Sequence, residues 1–568
     1  MESFWDGNAK SSPVQNLVSE ANIVDDPAAI DVPGRILQPL MLSGDTAAMI
    51  KNWQFTCRQN HSDYQRPAYR PQRLLQVGGG EVNHLKLQAC HESSVPSLPE
   101  YAALSYMWGG PQRFMTTKDS LEARMVRIEF EDLPGTLRDA VLVCRVIGIR
   151  WLWVDVLCII QDDPQDKLEQ IKTMGEVYRS AALTIIPAFS LGSDEGFLSE
   201  TFENVTLPFQ CFRDNTSSGR QGSIYLIKKQ LDAPRFPIET RGWTMQERLL
   251  STRLLFFHPG RIDWVCRESH LFAGSSSSYS VNMIDESVTD RSWDKWNLNC
   301  SNIKNDDVNL QIQRWYTLSQ AFSERTLSDP LDRLPALASV AKELRREFPG
   351  IGDYVAGLWT TNLAQQLLWK LHLYTQPKSR LNKFIGPSWS WVSIESSFML
   401  PTFAIAPADI RLEILDYEIQ HDISSDRYGS LLAASLEVRG RLKTAQWNIS
   451  TQKIESSNGL LLAGNTKTVA DSKDYASRGP LVGNIVNVYC LEVQDARYWA
   501  RDIKTEGGQV FTGLLLFKCP GARSTYRRAG LFSLAKVDQD ESSYAVFEAA
   551  VKNLAWFEDV EPQVITII

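Results

Sequence analysis

Residues 150–188 read RWLWVDVLCIIQDDPQDKLEQIKTMGEVYRSAALTIIPA. Two apolar runs rich in Trp, Val and Ile flank a charged stretch. In the first run, strand alternation would put Trp151, Trp153, Asp155, Leu157 and Ile159 on one face. In the middle, Leu168, Ile171, Met174, Tyr178 and Ala181 recur at helical spacing. Asp163 fits an N-cap, Pro164 the first helical position and Asp166 a capping-box acid. The acids of QDDPQD also suggest a metal loop, but helix capping accounts for them more simply. LTIIPA then supplies a second strand. A strand, a helix and a strand in that order argue for a parallel pair joined by a crossover.

The pattern extends on both sides. YAALSYMWGG (residues 101–110) reads as a strand ending in a glycine turn. LPGTLRDAVLVCRVIGI (133–149) carries Leu137, Val141, Cys144 and Ile147 at helical spacing. RGWTMQERLLSTR (241–253) is a third helix, and RLLFFHPGRIDWVC (253–266) reads as two strands around a Pro-Gly turn. VGGGEV (77–82) precedes an alternating strand, so it reads as a hairpin turn and not a phosphate loop. The expected fold is α/β: a mostly parallel sheet flanked by helices, with an added helical region and a β-rich C-terminal region. The expected organisation is a flexible arm over 1–45, the α/β domain over 46–275, a linker or long loop over 276–310, helices over 311–400 and β structure over 401–568.

The chain has 568 residues, 43% hydrophobic and 22% charged, which suits a soluble globular protein of two or three domains. A net charge of −8 argues against a broad nucleic-acid surface. The nine cysteines contain no CxxC pair, and their odd, scattered placement points to a reducing, cytoplasmic setting. No leader and no membrane span are expected from the hydropathy pattern. The sequons at Asn204, Asn215 and Asn448 therefore carry little weight.

The blocks YAALSYMWG, then LPGTLRDAV with GIRWLWVDVLCIIQDD and QIKTMGEVYRSAALTIIPA, then RGWTMQERLLSTRLLFF resemble the fungal heterokaryon incompatibility (HET) domain, in that family's order. WQFTCRQNH upstream and DRLPALASVA, YVAGLW, LLW, PSWSWVSIE and YRRAGLF downstream resemble its flanking segments. The resemblance implies a role in self/non-self recognition between hyphae that ends in cell death. It also implies a distant likeness to TIR domains, many of which cleave the nicotinamide–ribose bond of NAD with a glutamate in a W-C-x-x-E helix. Here W-T-M-Q-E gives Trp243 and Glu247 the same spacing, and LSYMWGG resembles the first TIR strand and its ligand loop. The chain departs by some fifty residues inserted between TIIPAF and the RGW helix.

Glu247 is the leading candidate catalytic acid. It shares a helix face with Trp243, Gln246 and Leu250, an apolar setting in which a carboxylate can steady a developing oxocarbenium ion. The competing reading is a buried ion pair with Arg241, Arg248 or Arg253. Asp155 would orient a ligand at the carboxyl edge of the sheet, or pair with a structural arginine such as Arg241. Ser105, Tyr106, Trp108 and Gly109 would line the pocket, Trp108 by stacking and Gly109 by admitting a close approach. Asp162 and Gln246 would edge the pocket, and Trp243 would wall it. Cys57 and His61 could begin a metal site, but no second pair follows at ligand spacing. His258 reads as a turn residue, and PSWSWVSIE as a packing motif. No cofactor is required, and NAD enters as substrate or ligand. Self-association and an unknown protein partner are expected. The alternatives are a non-enzymatic interaction module, or a diverged member acting in small-molecule biosynthesis.

Overall fold

In the computed structural model the parallel core forms from short, wholly buried strands. The described residues are 44–61, 69–78, 84–91, 100–198, 236–274, 308–372, 383–400, 409–422, 426–456, 485–494, 513–536 and 555–568, with single-residue gaps, and a few short strands elsewhere. They fall into two units, 1–300 and 301–568.

In the first unit, strand β1 (Leu17–Ala21) lies in the stretch expected to be an arm. It pairs with β8 (Gln221–Lys228), which pairs with β7 (Leu207–Phe212). The insertion therefore carries a small antiparallel sheet of its own. The main sheet has eight strands: β2 (Arg73–Gln76), β3 (Lys86–Ala89), β4 (Tyr101–Leu104), β5 (Trp151–Trp153), β6 (Leu183–Pro187), β9 (Arg253–His258), β10 (Arg261–Cys266) and β11 (His270–Gly274). Its order is β11-β10-β9-β6-β4-β5-β2-β3. The pairings β5-β4, β4-β6 and β6-β9 are parallel and the outer four are antiparallel. The sheet is thus mixed, with a parallel centre. β9 and β10 pair as an antiparallel hairpin, as expected, with Arg261 opposite His258.

Alternation sorts the two faces. Leu104, Leu152, Ile185, Leu255 and Phe257 pack on α1 (Gly44–Asn60) and α3 (Gly135–Ile147), where Leu137, Val141, Cys144 and Ile147 are all buried. Gly148 ends α3 in the left-handed region at φ 84°, where glycine carries no Cβ penalty. On the opposite face Tyr101, Trp151 and Trp153 meet Met174, Val177 and Tyr178 of α5 (Pro164–Ser180). Helix α7 (Trp243–Leu250) lies beside α5.

Two local expectations are corrected. The run WLWVDVLCII is not one strand: β5 stops at Trp153, and Asp155 opens a one-turn helix, α4 (Asp155–Cys158). The Asp155 carboxylate takes the Val156 N–H at 2.7 Å, a local bond that competes with extending the ladder. The inner face of α5 is Asp166, Gln170, Met174 and Tyr178, whereas Leu168 is exposed. Asp163 caps α5 and Pro164 starts it, as expected. Asp166, however, accepts from Arg73 at 2.6 Å and from the Ile160 N–H at 2.8 Å instead of closing a capping box.

In the second unit, α8 (Val308–Ser323) and α9 (Pro335–Glu347) precede a nine-stranded, almost wholly antiparallel sheet running from 413 to 567. PSWSWVSIE packs as expected: Trp389 and Trp391 are fully buried, the Trp391 indole donates to Gly357 O, and the Trp369 indole donates to Trp389 O. Arg528, from YRRAGLF, lies 3.6 Å over the Trp369 ring and donates to the carbonyls of Leu367 and Trp369. The VGGGEV turn, Asn204, Asn215 and nearly all of the 276–310 linker lie outside the described residues.

Candidate active site

The four parallel strands, taken in chain order, lie second-first-third-fourth across the sheet. Connections leave β4 in opposite directions, so a switch point falls between β4 and β6. Open α/β sheets bind ligands outside the carboxyl ends of the strands at such a point. Ser105 and Tyr106 follow β4 directly, and Asp155 follows β5 by two residues. The backbone holds this edge: Ser105 N–H donates to Ile185 O, and the loop after β4 bonds α4 through Thr116 N–H to Val156 O.

Asp155 receives the Trp108 indole N–H at 2.9 Å and faces Arg241 Nη2 at 3.7 Å. The Arg241 guanidinium donates to Tyr106 O at 2.8 Å and lies 5.3 Å from the Trp108 ring centre. Burial raises the Asp155 pKa, and Arg241 and the Trp108 N–H offset part of the rise. Asp155 therefore has the arginine partner that the structural reading foresaw.

Glu247 does not. Its side chain is 1% exposed, and neither carboxylate oxygen accepts a hydrogen bond. Arg241 pairs with Asp155, Arg248 donates to Glu239 at 3.1 Å, and Arg253 donates to Cys57 Sγ. The competing reading, an ion pair of Glu247 with one of these arginines, finds no direct contact here, although the Arg241 charge still acts on the carboxylate. Burial pushes the Glu247 pKa up to about 7; Asp155 adds to the rise, while Arg241, the Ser105 hydroxyl and the Tyr178 phenol oppose it. Burial likewise drives the Tyr106 and Tyr178 phenols well above their ordinary value, helped by the neighbouring Asp155 and Glu247. The Ser105 hydroxyl, the Tyr106 hydroxyl and the Gln246 amide are also buried and make no hydrogen bond of ordinary geometry, though Ser105 faces Glu247 and Tyr106 faces Asp155. Buried polar groups are nearly always paired, so this concentration of unpaired ones is unusual.

The other expected residues fall on either side of this cluster. Trp243 is half-buried against the core cluster that contains Trp153 and Tyr178. Gly109 has φ +75°, and a Cβ there would lie 2.5 Å from the Gly192 Cα. Its missing side chain thus serves loop packing, which corrects its role as an opening for a ligand. Asp162 is exposed and takes the Lys118 N–H at the start of α2 (Lys118–Val126), so it caps a helix instead of edging a cleft. Tyr178 and Arg241 belong to the cluster but were read as a core residue and a structural cation. The i, i+4 series Gln170, Met174, Tyr178 was the signal for the first. His258 is no surface turn residue either: it is buried, 3.4 Å from the buried Asp263.

A profile of the family described as "Heterokaryon incompatibility protein (HET)" matches residues 101–247. "Heterokaryon incompatibility protein 6, OR allele" of Neurospora crassa is 26% identical over 175 residues, which cover 28% of this chain and 25% of that protein. The match thus spans about a quarter of that relative. No solved structure matches the chain. The profile opens on the first residue of β4 and closes on Glu247, so the part of the chain that is similar to the heterokaryon incompatibility family is the parallel core with its buried acid.

Proposed function

We propose that this HET domain acts in non-self recognition, and that its Glu247 cluster binds a nucleotide and hydrolyses the nicotinamide–ribose bond of NAD. The observation that carries this reading is a buried carboxylate with no direct ion pair, its pKa raised by burial to about 7, beside the switch point in the parallel centre of the sheet. The strand order, which flavodoxin-like folds share, supports a TIR-like reading. When the glycosidic bond breaks, positive charge grows on the ribose, and an ionised Glu247 stabilises it. The cationic nicotinamide ring itself favours that ionised form on binding. Ser105 and Tyr106 supply hydroxyls for the ribose, and the Arg241–Asp155 pair holds the pocket wall.

A second reading rests on the 1% exposure of Glu247. A non-enzymatic interaction module would keep the acid sealed, whereas the enzyme must open, for instance on self-association. Full-length protein incubated with NAD at several protein concentrations, with nicotinamide followed by chromatography, separates the two. Release that rises with concentration and disappears in Glu247→Gln supports hydrolysis. No release at any concentration from folded protein removes it.

A further inference from the structure

Outside the acidic cluster, one set of side chains converges with no role assigned to it. Cys57 stands in the last turn of α1, and His61 follows directly, its N–H still bonded to Cys57 O at 3.1 Å. Helical continuation puts the two side chains on one face at i, i+4. Cys266 arrives from the end of β10. One ligand atom from each residue lies within 4.8 Å of the other two, and Cys266 Sγ is 3.4 Å from His61 Nδ1. Both thiols are 2% exposed, and both cysteines are unbridged. In a tetrahedral site with Zn–S of about 2.3 Å and Zn–N of about 2.0–2.1 Å, neighbouring ligand atoms sit roughly 3.5–3.8 Å apart. The observed spacing needs little adjustment to reach that geometry.

The surroundings fit a cation held by thiolates. His61 turns its other nitrogen, Nε2, toward Glu268 at 3.7 Å. A carboxylate behind a metal-bound histidine is the usual means of fixing its tautomer and orientation. Arg253 donates to Cys57 Sγ at 3.3 Å and the Ser269 hydroxyl lies 3.1 Å from Cys266 Sγ, so each thiolate has a partner besides the metal.

We propose that Cys57, His61 and Cys266 bind a zinc ion that clips helix α1 to strand β10. Water takes the fourth position. Binding releases the thiol protons, and the ion's charge is balanced by the two thiolates. The clip joins His61 and Cys266, residues 205 positions apart in sequence, and so ties the segment before the HET profile to the far side of the same sheet. The proposal is independent of any chemistry at Glu247.

The test uses the full-length chain purified without chelator. Elemental analysis is expected to find about one zinc per chain, absent from Cys57→Ser and Cys266→Ser and retained in Cys519→Ser. Cobalt substitution is expected to give the charge-transfer absorption of cobalt–thiolate bonds. A strong chelator is expected to lower the melting temperature of the wild-type protein, and added zinc to restore it. If a variant fails to fold, the wild-type chelation and cobalt measurements still decide. Protein that is zinc-free as purified and takes up neither zinc nor cobalt overturns the proposal. So does a Cys57–Cys266 disulfide found by peptide mapping of freshly purified protein.

Discussion

Replacing Glu247 by glutamine should make the protein more stable, and the gain should depend on pH. The carboxyl moves from an ordinary 4.5 in the unfolded chain to about 7 when buried in the fold. Between those values the folded state binds a proton that the unfolded state has lost, so stability falls as pH rises. A displacement of that size is worth about 3 kcal/mol, at 1.36 kcal/mol per pKa unit. The cost is absent below pH 4.5, grows through neutrality and is complete above about pH 7. Glutamine has the same shape and no charge, so Glu247→Gln removes the cost. Calorimetry of the full-length chain at pH 8.5 should show the transition of the first unit raised by roughly 6–12 °C, since 1 kcal/mol shifts a domain of this size by about 2–4 °C. Near pH 4.5 the variant and the wild type should coincide. A variant destabilised at pH 8.5 would mean that the carboxylate is held by a partner, and a gain that does not change with pH would mean that charge is not its source. Either result refutes the reasoning. An acid retained against stability is the signature of a site shaped by function.

Further outcomes follow from neighbouring residues. Asp155→Ala should cost about 3 kcal/mol in urea unfolding, because it removes the carboxylate that faces Arg241 beside the half-buried Trp108 ring; Asp155→Ala with Arg241→Met should recover a large part of it. Gly109→Ala should destabilise by about 1–3 kcal/mol, from a positive φ and a contact with the Gly192 backbone, whereas Gly44→Ala, which has no positive φ and meets no atom, should cost less. Burial alone would raise the Asp263 carboxyl, but His258, His270 and Arg261 hold it well below the ordinary range. Its contribution is therefore present above the unfolded value near 4 and lost as pH falls below it, so Asp263→Asn should flatten the acid limb of the stability–pH curve.

The apolar runs YAAL and LTIIP, the helical spacing of Leu137, Val141, Cys144 and Ile147 and the cap at Asp163-Pro164 were legible because each depends on residues within a turn or two of one another. The blocks of the HET family were legible for the same reason, and so was the oddity of an acid on an apolar helix face. The chain could not say that β5 stops at Trp153, because a two-residue reach by the Asp155 carboxylate outweighs an apolar run. It offered Arg241 to Asp155 and to Glu247 alike, and could not say which acid takes it. Arg241, Arg248 and Arg253 lie within seven residues of Glu247, yet they pair with Asp155, Glu239 and Cys57, set by strands and helices that converge only on folding. The Cys57–His61–Cys266 cluster lay hidden for the same physical reason. Secondary structure is written in local spacing, but charge pairing and metal-ligand geometry depend on distances that exist only once the sheet has brought remote segments together.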